Sequence, residues 1–139
     1  MSAHPDNFAS FYSNNILQID YQLTTYCHEA SKPYFKGKNR LELGPSSGYM
    51  TRFLVNDFER VVAVEGAVDL MDKIVDAPNL IKVCSLFQDF KTEEKFDTII
   101  LNHVLEHIAD PVPLLKQILQ WLAPGGKLLG FPMQNLSTE

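Results

Sequence analysis

Val61-Val62-Ala63-Val64 leaves no position for a solvent-facing side chain. A strand with one wet face alternates apolar and polar residues. An unbroken β-branched run suits a strand covered on both faces, as in a parallel sheet between layers of helices. The rest of the chain repeats that theme. Arg40 to Leu43 reads as a first short strand, Leu80 to Cys84 as a third, Phe96 to Asn102 as a fourth and Lys127 to Phe131 as a fifth. Between them, Tyr49 to Phe58 has a helical pattern. Ala67 to Ala77 places Val68, Met71, Ile74 and Val75 on one helical face before Pro78-Asn79 stops it. Asp110-Pro111 is a good helix start, because Asp caps free amides and Pro fits the first turn. Leu114, Leu115, Ile118, Leu119 and Leu122 then form an apolar face, and Pro124-Gly125-Gly126 is expected to end the helix. Gln88 to Lys95 is polar and too short for a regular crossover helix.

Upstream, Asn14 to Tyr34 carries apolar residues at helical spacing and predicts one long helix, with the residues before it irregular. The expectation is an α/β fold: a Rossmann-like doubly wound sheet of about five parallel strands with flanking helices and right-handed crossovers, preceded by an N-terminal helix. Residues 1–37 form the helical segment and 38–139 the sheet domain, within one unit whose 139 residues suit a single core.

Bulk properties narrow the function. The net charge of −5 argues against a general nucleic-acid backbone binder, which needs surplus Lys and Arg. Cys27 and Cys84 read as reduced thiols, which points to the cytoplasm. Met1 to Phe11 lacks the basic and apolar regions of a secretory leader, and no apolar run is long enough to span a bilayer.

In doubly wound sheets ligands bind beyond the carboxyl ends of the strands, so the residue after each strand is where chemistry is expected. After the first strand come Gly44 and Gly48, with Glu42 just before them. Glycines let backbone amides close around a ligand, and a carboxylate there favours a cationic group over a phosphate. The spacing is G-x-x-x-G, with Ser46 where a dinucleotide fingerprint has its second glycine. After the second strand stands Glu65, 21 positions beyond Gly44, at the distance from which an acidic residue reaches ribose hydroxyls. After the third, Leu86 and Phe87 offer an apolar slot for a base, with Ser85 or Gln88 as polar contacts. After the fourth comes Asn102-His103-Val104-Leu105-Glu106-His107. Its H-x-x-E-H spacing would put two histidines on one face if helical, a zinc signature. The strand end before it and Asp110-Pro111 after it favour His103 facing a ligand, with Glu106 and His107 fixing the turn and no metal bound.

Leu41-Glu42-Leu43-Gly44, Gly48, Val64-Glu65, Phe96-Asp97, His103 to Ile108 with Asp110-Pro111, and Leu122 to Gly126 together resemble the class I S-adenosylmethionine-dependent methyltransferases, nearest the ubiquinone-biosynthesis-like small-molecule branch. The resemblance runs over about residues 38–133. It implies S-adenosyl-L-methionine as cofactor and a small-molecule acceptor. Glu42 and the Gly44 backbone would hold the methionine amino and carboxylate groups, with Pro45, Ser46, Gly48 and Tyr49 lining that loop. Glu65 would bind the ribose, Gly66 and Ala67 would lie beside the adenosine, and Leu86 and Phe87 would flank the adenine. Asn102 and His103 would lie near the transferable methyl group. His103 and His107 are the base candidates if the acceptor must lose a proton. The family fold has seven strands, and here the last two are expected to be missing. That suggests a second reading, a donor-binding domain or fragment without turnover. It also suggests a sheet edge at strand five covered by a second copy, a partner chain or the N-terminal helix.

Overall fold

The structure, a computed structural model, describes residues 21–102 and 104–131. Residues 14–20 of the expected first helix, the segment before them, His103 and residues 132–139 lie outside the described residues.

Five strands form one parallel sheet: β1 (Asn39–Leu43), β2 (Arg60–Glu65), β3 (Leu80–Cys84), β4 (Phe96–Asn102) and β5 (Leu122–Phe131), in the order β3-β2-β1-β4-β5. The side chains sort by the two-residue period of a strand. Leu41 and Leu43, Val62 and Val64, and Ile99 and Leu101 join one apolar cluster with Leu114, Ile118 and Trp121 of α4 (Val112–Trp121). The opposite face carries Val61, packed with Met50, Leu54 and Phe58 around α2 (Thr51–Asp57). Both faces are therefore covered, as the unbroken β2 run requires. Each buried Leu or Ile contributes about 1.5–3 kcal/mol, so the two clusters dominate the favourable side of folding.

The first helix, α1, runs through residues 21–31 of the described chain and tightens into a 3-10 turn at Lys32–Tyr34. Pro33 has no amide hydrogen to continue the α-helical ladder. The described part of α1 lies on α2: His28 stacks on Phe53 at 4.6 Å and its Nε2 is 2.6 Å from Asp57 Oδ2. The turn into β1 is pinned by β4, where Asp97 Oδ2 accepts from the Lys38 and Asn39 amides at 2.9 and 3.2 Å.

Three expectations are corrected. First, α3 spans only Val68–Met71 and not Ala67 to Ala77. After Met71 the chain closes i→i+3 bonds, Lys73 N to Leu70 O and Ile74 N to Met71 O, which turn Ile74 inward while Val68 and Val75 stay exposed. Lys82 holds the tail, with Nζ 2.6 Å from Asp76 Oδ1. Second, the buried stripe of α4 is Leu114, Ile118 and Trp121, while Leu119 is 58% exposed. Positions i, i+4 and i+7 share a face, and Leu119 is rotated off it. Third, α4 ends at Trp121, before Pro124-Gly125-Gly126, and β5 begins at Leu122. Phe96 pairs with Leu122 and Thr98 with Lys127, so Ala123 to Gly126 bulge opposite Asp97. Pro124 cannot donate to the ladder, which suits it to a bulge.

Asp110 Oδ1 accepts the Val112 amide at 3.2 Å, the expected cap. Among the described residues β5 pairs on one side only, and no helix is long and apolar enough to cross a membrane.

Candidate functional site

The strand order reverses between β1 and β4, since the chain moves outward from β1 through β2 to β3, then returns to β4 on the other side. Helices after these two strands lie on opposite faces and leave a crevice at their carboxyl ends. The glycine loop stands in that crevice. Gly44 extends the ladder by donating to Val64 O at 3.0 Å, then turns away at φ +75°. A Cβ at Gly44 would stand 2.9 Å from Asn102 O and 2.9 Å from Val104 Cγ2. The β1 and β4 ends are thus drawn into contact at a position only glycine fits. The loop continues through Ser46 at φ 56° and closes with Gly48 N donating to Pro45 O at 2.9 Å.

Two carboxylates hold this loop. Glu65, 9% exposed at the end of β2, accepts Ser46 N–H on Oε1 at 2.9 Å and Ala67 N–H on Oε2 at 3.1 Å. It straps the β1 loop to the start of α3. Glu42 is wholly buried beneath the loop. Its Oε1 accepts from Thr51 Oγ1 at 2.5 Å, and its Oε2 accepts from Asn102 Nδ2 at 2.8 Å. Both oxygens thus serve internal partners: Glu42 anchors Asn102 at the site and ties it to α2. Burial pushes the Glu42 carboxyl above its ordinary range, opposed by the charge of Arg40 and by the Thr51 and Asn102 hydrogen bonds. Arg40 is equally buried, beside the rings of Phe35 and Phe58 at 4.8 and 4.9 Å. Burial lowers its pKa to about 9, against the pull of Glu42 and Asp57.

The other expected residues fall around this centre. Pro45, Ser46, Gly48 and Tyr49 form the loop itself, and Gly66 and Ala67 are exposed beside Glu65. Leu86 is 60% exposed, whereas Phe87 is partly buried against the core. Phe87 also lines a cavity of about 340 Å³ with Gln88, Ile108, Asp110, Leu114 and Gln117. A cavity of about 370 Å³ at Glu59, Arg60 and Asn79 opens at the amino ends of β2 and β3, away from the loop. His107 is exposed on a 3-10 turn at Leu105–His107. Among the described residues no group of three His, Cys, Asp or Glu side chains is placed to hold a metal.

Sequence reasoning missed Thr51 as the partner of Glu42 and the buried charge of Arg40 near it. Arg40 had a signal: residues two apart on a strand share a face. Thr51 had none, because its contact depends on how α2 folds back.

Comparison with known proteins agrees with this geometry. A family described as a methyltransferase domain matches residues 16–130. The chain belongs to that family. Nodulation protein S of Rhizobium tropici is 32% identical over 98 residues, covering 66% of this chain and 41% of that protein. The mitochondrial ubiquinone biosynthesis O-methyltransferase of Mus musculus is 26% identical over 136 residues, covering 87% of this chain and 36% of that one. The chain thus spans about two-fifths of the length of these relatives. Among solved structures, the N-methyltransferase NodS of Bradyrhizobium japonicum WM9, in complex with S-adenosyl-L-homocysteine, shares the fold with a TM-score of 0.69 at 22% identity, covering 77% of this chain and 58% of that one.

Proposed function

We propose that this methyltransferase domain binds S-adenosyl-L-methionine at the β1–β4 crevice and transfers its methyl group to a small-molecule acceptor. The observation that carries the reading is the Glu65 strap. A carboxylate at the end of β2 is fastened to the glycine loop of β1, so the ribose-binding group and the loop are one preformed unit. The residues fit the cofactor. Each carboxylate oxygen has two lone-pair positions, so Glu65 retains room for two ribose hydroxyls after accepting its two amides. Gly44 and Gly48 let the loop turn at φ +75° and +87°, packed closely on Asn102, Val104 and Ile74. Glu42, buried below, orients Asn102 beneath the donor. Pro45, Ser46 and Tyr49 complete the loop, Gly66 and Ala67 lie beside the nucleoside, and Leu86 and Phe87 flank the adenine. Asn102, oriented by Glu42, lies at the methyl end, and His103, the next residue in the chain, is assigned there from the sequence. NodS and the ubiquinone O-methyltransferase support a small acceptor.

When bound, the cofactor supplies a methyl group on a sulfonium, already an electrophile. The chain then has to align the acceptor and exclude water, which is catalysis by proximity. A base is needed only where the acceptor must lose its proton. His103 and His107 are the base candidates of that segment.

The test is calorimetric titration with S-adenosylmethionine followed by methyl-transfer assays on a panel of small phenols and amines. Glu65→Ala is expected to weaken binding by about 1–3 kcal/mol, as the loss of a hydrogen-bonded charged partner does. Unchanged affinity in that variant overturns the ribose role. Binding without transfer to any acceptor makes this chain a donor-binding domain, and no binding at all overturns the proposal.

A further inference from the structure

The helix α1 carries apolar residues on two sides. Its inner side is fixed on α2: His28 and Ser31 are buried, and Cys27 packs against the Met50, Leu54 and Phe58 cluster. The bond from His28 to Asp57 and the stacking on Phe53 hold it there. The outer side is apolar too. Leu23 is 52% exposed and Tyr26 73% exposed, and Ala30 is exposed one turn further on. In the sequence these three continue Ile16 and Ile19 at alternating steps of three and four, the a and d spacing of a coiled-coil seam. A surface helix of a lone domain shows one apolar stripe and a polar back. A second apolar stripe turned to water marks an interaction surface, and none of its residues belongs to the site described above.

We infer that α1 docks antiparallel against α1 of a second copy of this chain, along Ile16, Ile19, Leu23, Tyr26 and Ala30. The stripe is its own complement in that orientation. When Leu23 faces Tyr26 of the second copy, Ile19 faces Ala30, so a large side chain meets a small one. A two-fold axis repeats each of these contacts, as a closed dimer requires. Charge selects the same orientation. Asp20 stands near the start of the segment and Lys32 at its end. Lys32 Nζ leans back to 4.0 Å from Glu29 Oε1, and Glu29 is level with Asp20 of the second copy in this register. Lys32 therefore bridges two carboxylates across the seam. A parallel pair would set Asp20 beside Asp20 and Lys32 beside Lys32, which opposes docking. The inference uses no residue of the β5 edge and does not depend on the donor-binding reading.

The experiment is sedimentation velocity on the 139-residue chain, loaded from about 1 μM to about 1 mM. The expected result is a concentration-dependent species of twice the 15.8 kDa chain mass. Wild type that stays at the single-chain mass throughout overturns the inference and leaves the stripe to a different partner. Leu23→Glu and Tyr26→Glu each place a charge in the seam from both copies, and each should weaken the dimer by at least about 10-fold. Leu119→Glu is the control, at a position of α4 that is 58% exposed, and should stay within about twofold of wild type. Equal sensitivity to all three, or to none, overturns the inference. Orientation is read from a charge swap, which leaves the apolar stripe intact. Asp20→Lys and Lys32→Glu are each expected to weaken the dimer by about 2- to 10-fold, and the two together to return it to within about twofold of wild type. Single variants without effect, or a double variant that does not recover, overturn the antiparallel register.

Discussion

Replacing Gly44 by Ala tests the geometry on which the whole site depends. At φ +75° an L side chain is in the left-handed region, which costs about 1–2 kcal/mol. The added methyl would also stand 2.9 Å from Asn102 O and from Val104 Cγ2, where carbon contacts prefer about 3.5–4.0 Å. Neither neighbour moves freely. Asn102 O belongs to the end of β4, and Val104 is 3% exposed within the core. Overpacking of this kind costs about 1–3 kcal/mol, while the stiffer unfolded chain returns about 0.4–1 kcal/mol. The net loss is therefore about 2–4 kcal/mol. With a urea m-value of about 2 kcal/mol per molar, the midpoint falls by about 1–2 M. Gly130→Ala is the control, since nothing lies within 4 Å of its added methyl. That variant should stay within about 0.5 kcal/mol of wild type. A Gly44→Ala midpoint that coincides with the Gly130→Ala midpoint refutes the claim that β1 and β4 meet at a glycine-only position.

Three further measurements follow from the same geometry. The Glu42 carboxyl is raised by burial above its ordinary value of 4.5. Between the unfolded and folded values the folded state binds more protons, so this group's contribution is full below about pH 4.5 and is lost as pH rises. Urea denaturation from about pH 4.5 to 8 should therefore show Glu42→Gln gaining on wild type as pH rises, and a pH-independent difference refutes this. Coupling between Arg40 and Glu42 should appear in a double-mutant cycle with Arg40→Met and Glu42→Gln, at about 0.5–3 kcal/mol; additive effects would show that the two buried charges do not sense each other. Trp121→Ala removes a side chain that is 1% exposed and meets Phe90 edge to face at 5.2 Å. It should cost about 3–5 kcal/mol in chemical denaturation, and a loss under about 1 kcal/mol would place the α4 core elsewhere.

Four of the five strands were legible because each is written locally. Leu80–Cys84 and Phe96–Asn102 occupy the expected residues, and β1 and β2 each begin one residue earlier than their apolar runs suggest. The helices were less so. An apolar face continued through Val75, but Ile74 is turned beneath Gly48, whose added Cβ would lie 3.2 Å from it. That demand from a distant loop shortens α3. The site was legible as a list of strand ends, since the positions after parallel strands converge whatever the detail of the helices.

The sequence alone determined that the chain builds a parallel sheet, that Gly44, Glu65 and Asn102 stand at its carboxyl ends, and that Asp110 opens the last helix. Short-range rules suffice there: burial on both faces of a strand, and a cap two residues before an amide. Only the tertiary structure decided what each carboxylate does. Glu42 reads in sequence as a group facing a ligand, yet the return of α2 brings Thr51 onto one oxygen and the end of β4 brings Asn102 onto the other. Glu65 becomes the strap of the loop because Ser46 lies 19 residues before it and is brought near only when β1 and β2 pair. Hydrogen bonds over such separations depend on the assembled sheet, which no local pattern encodes.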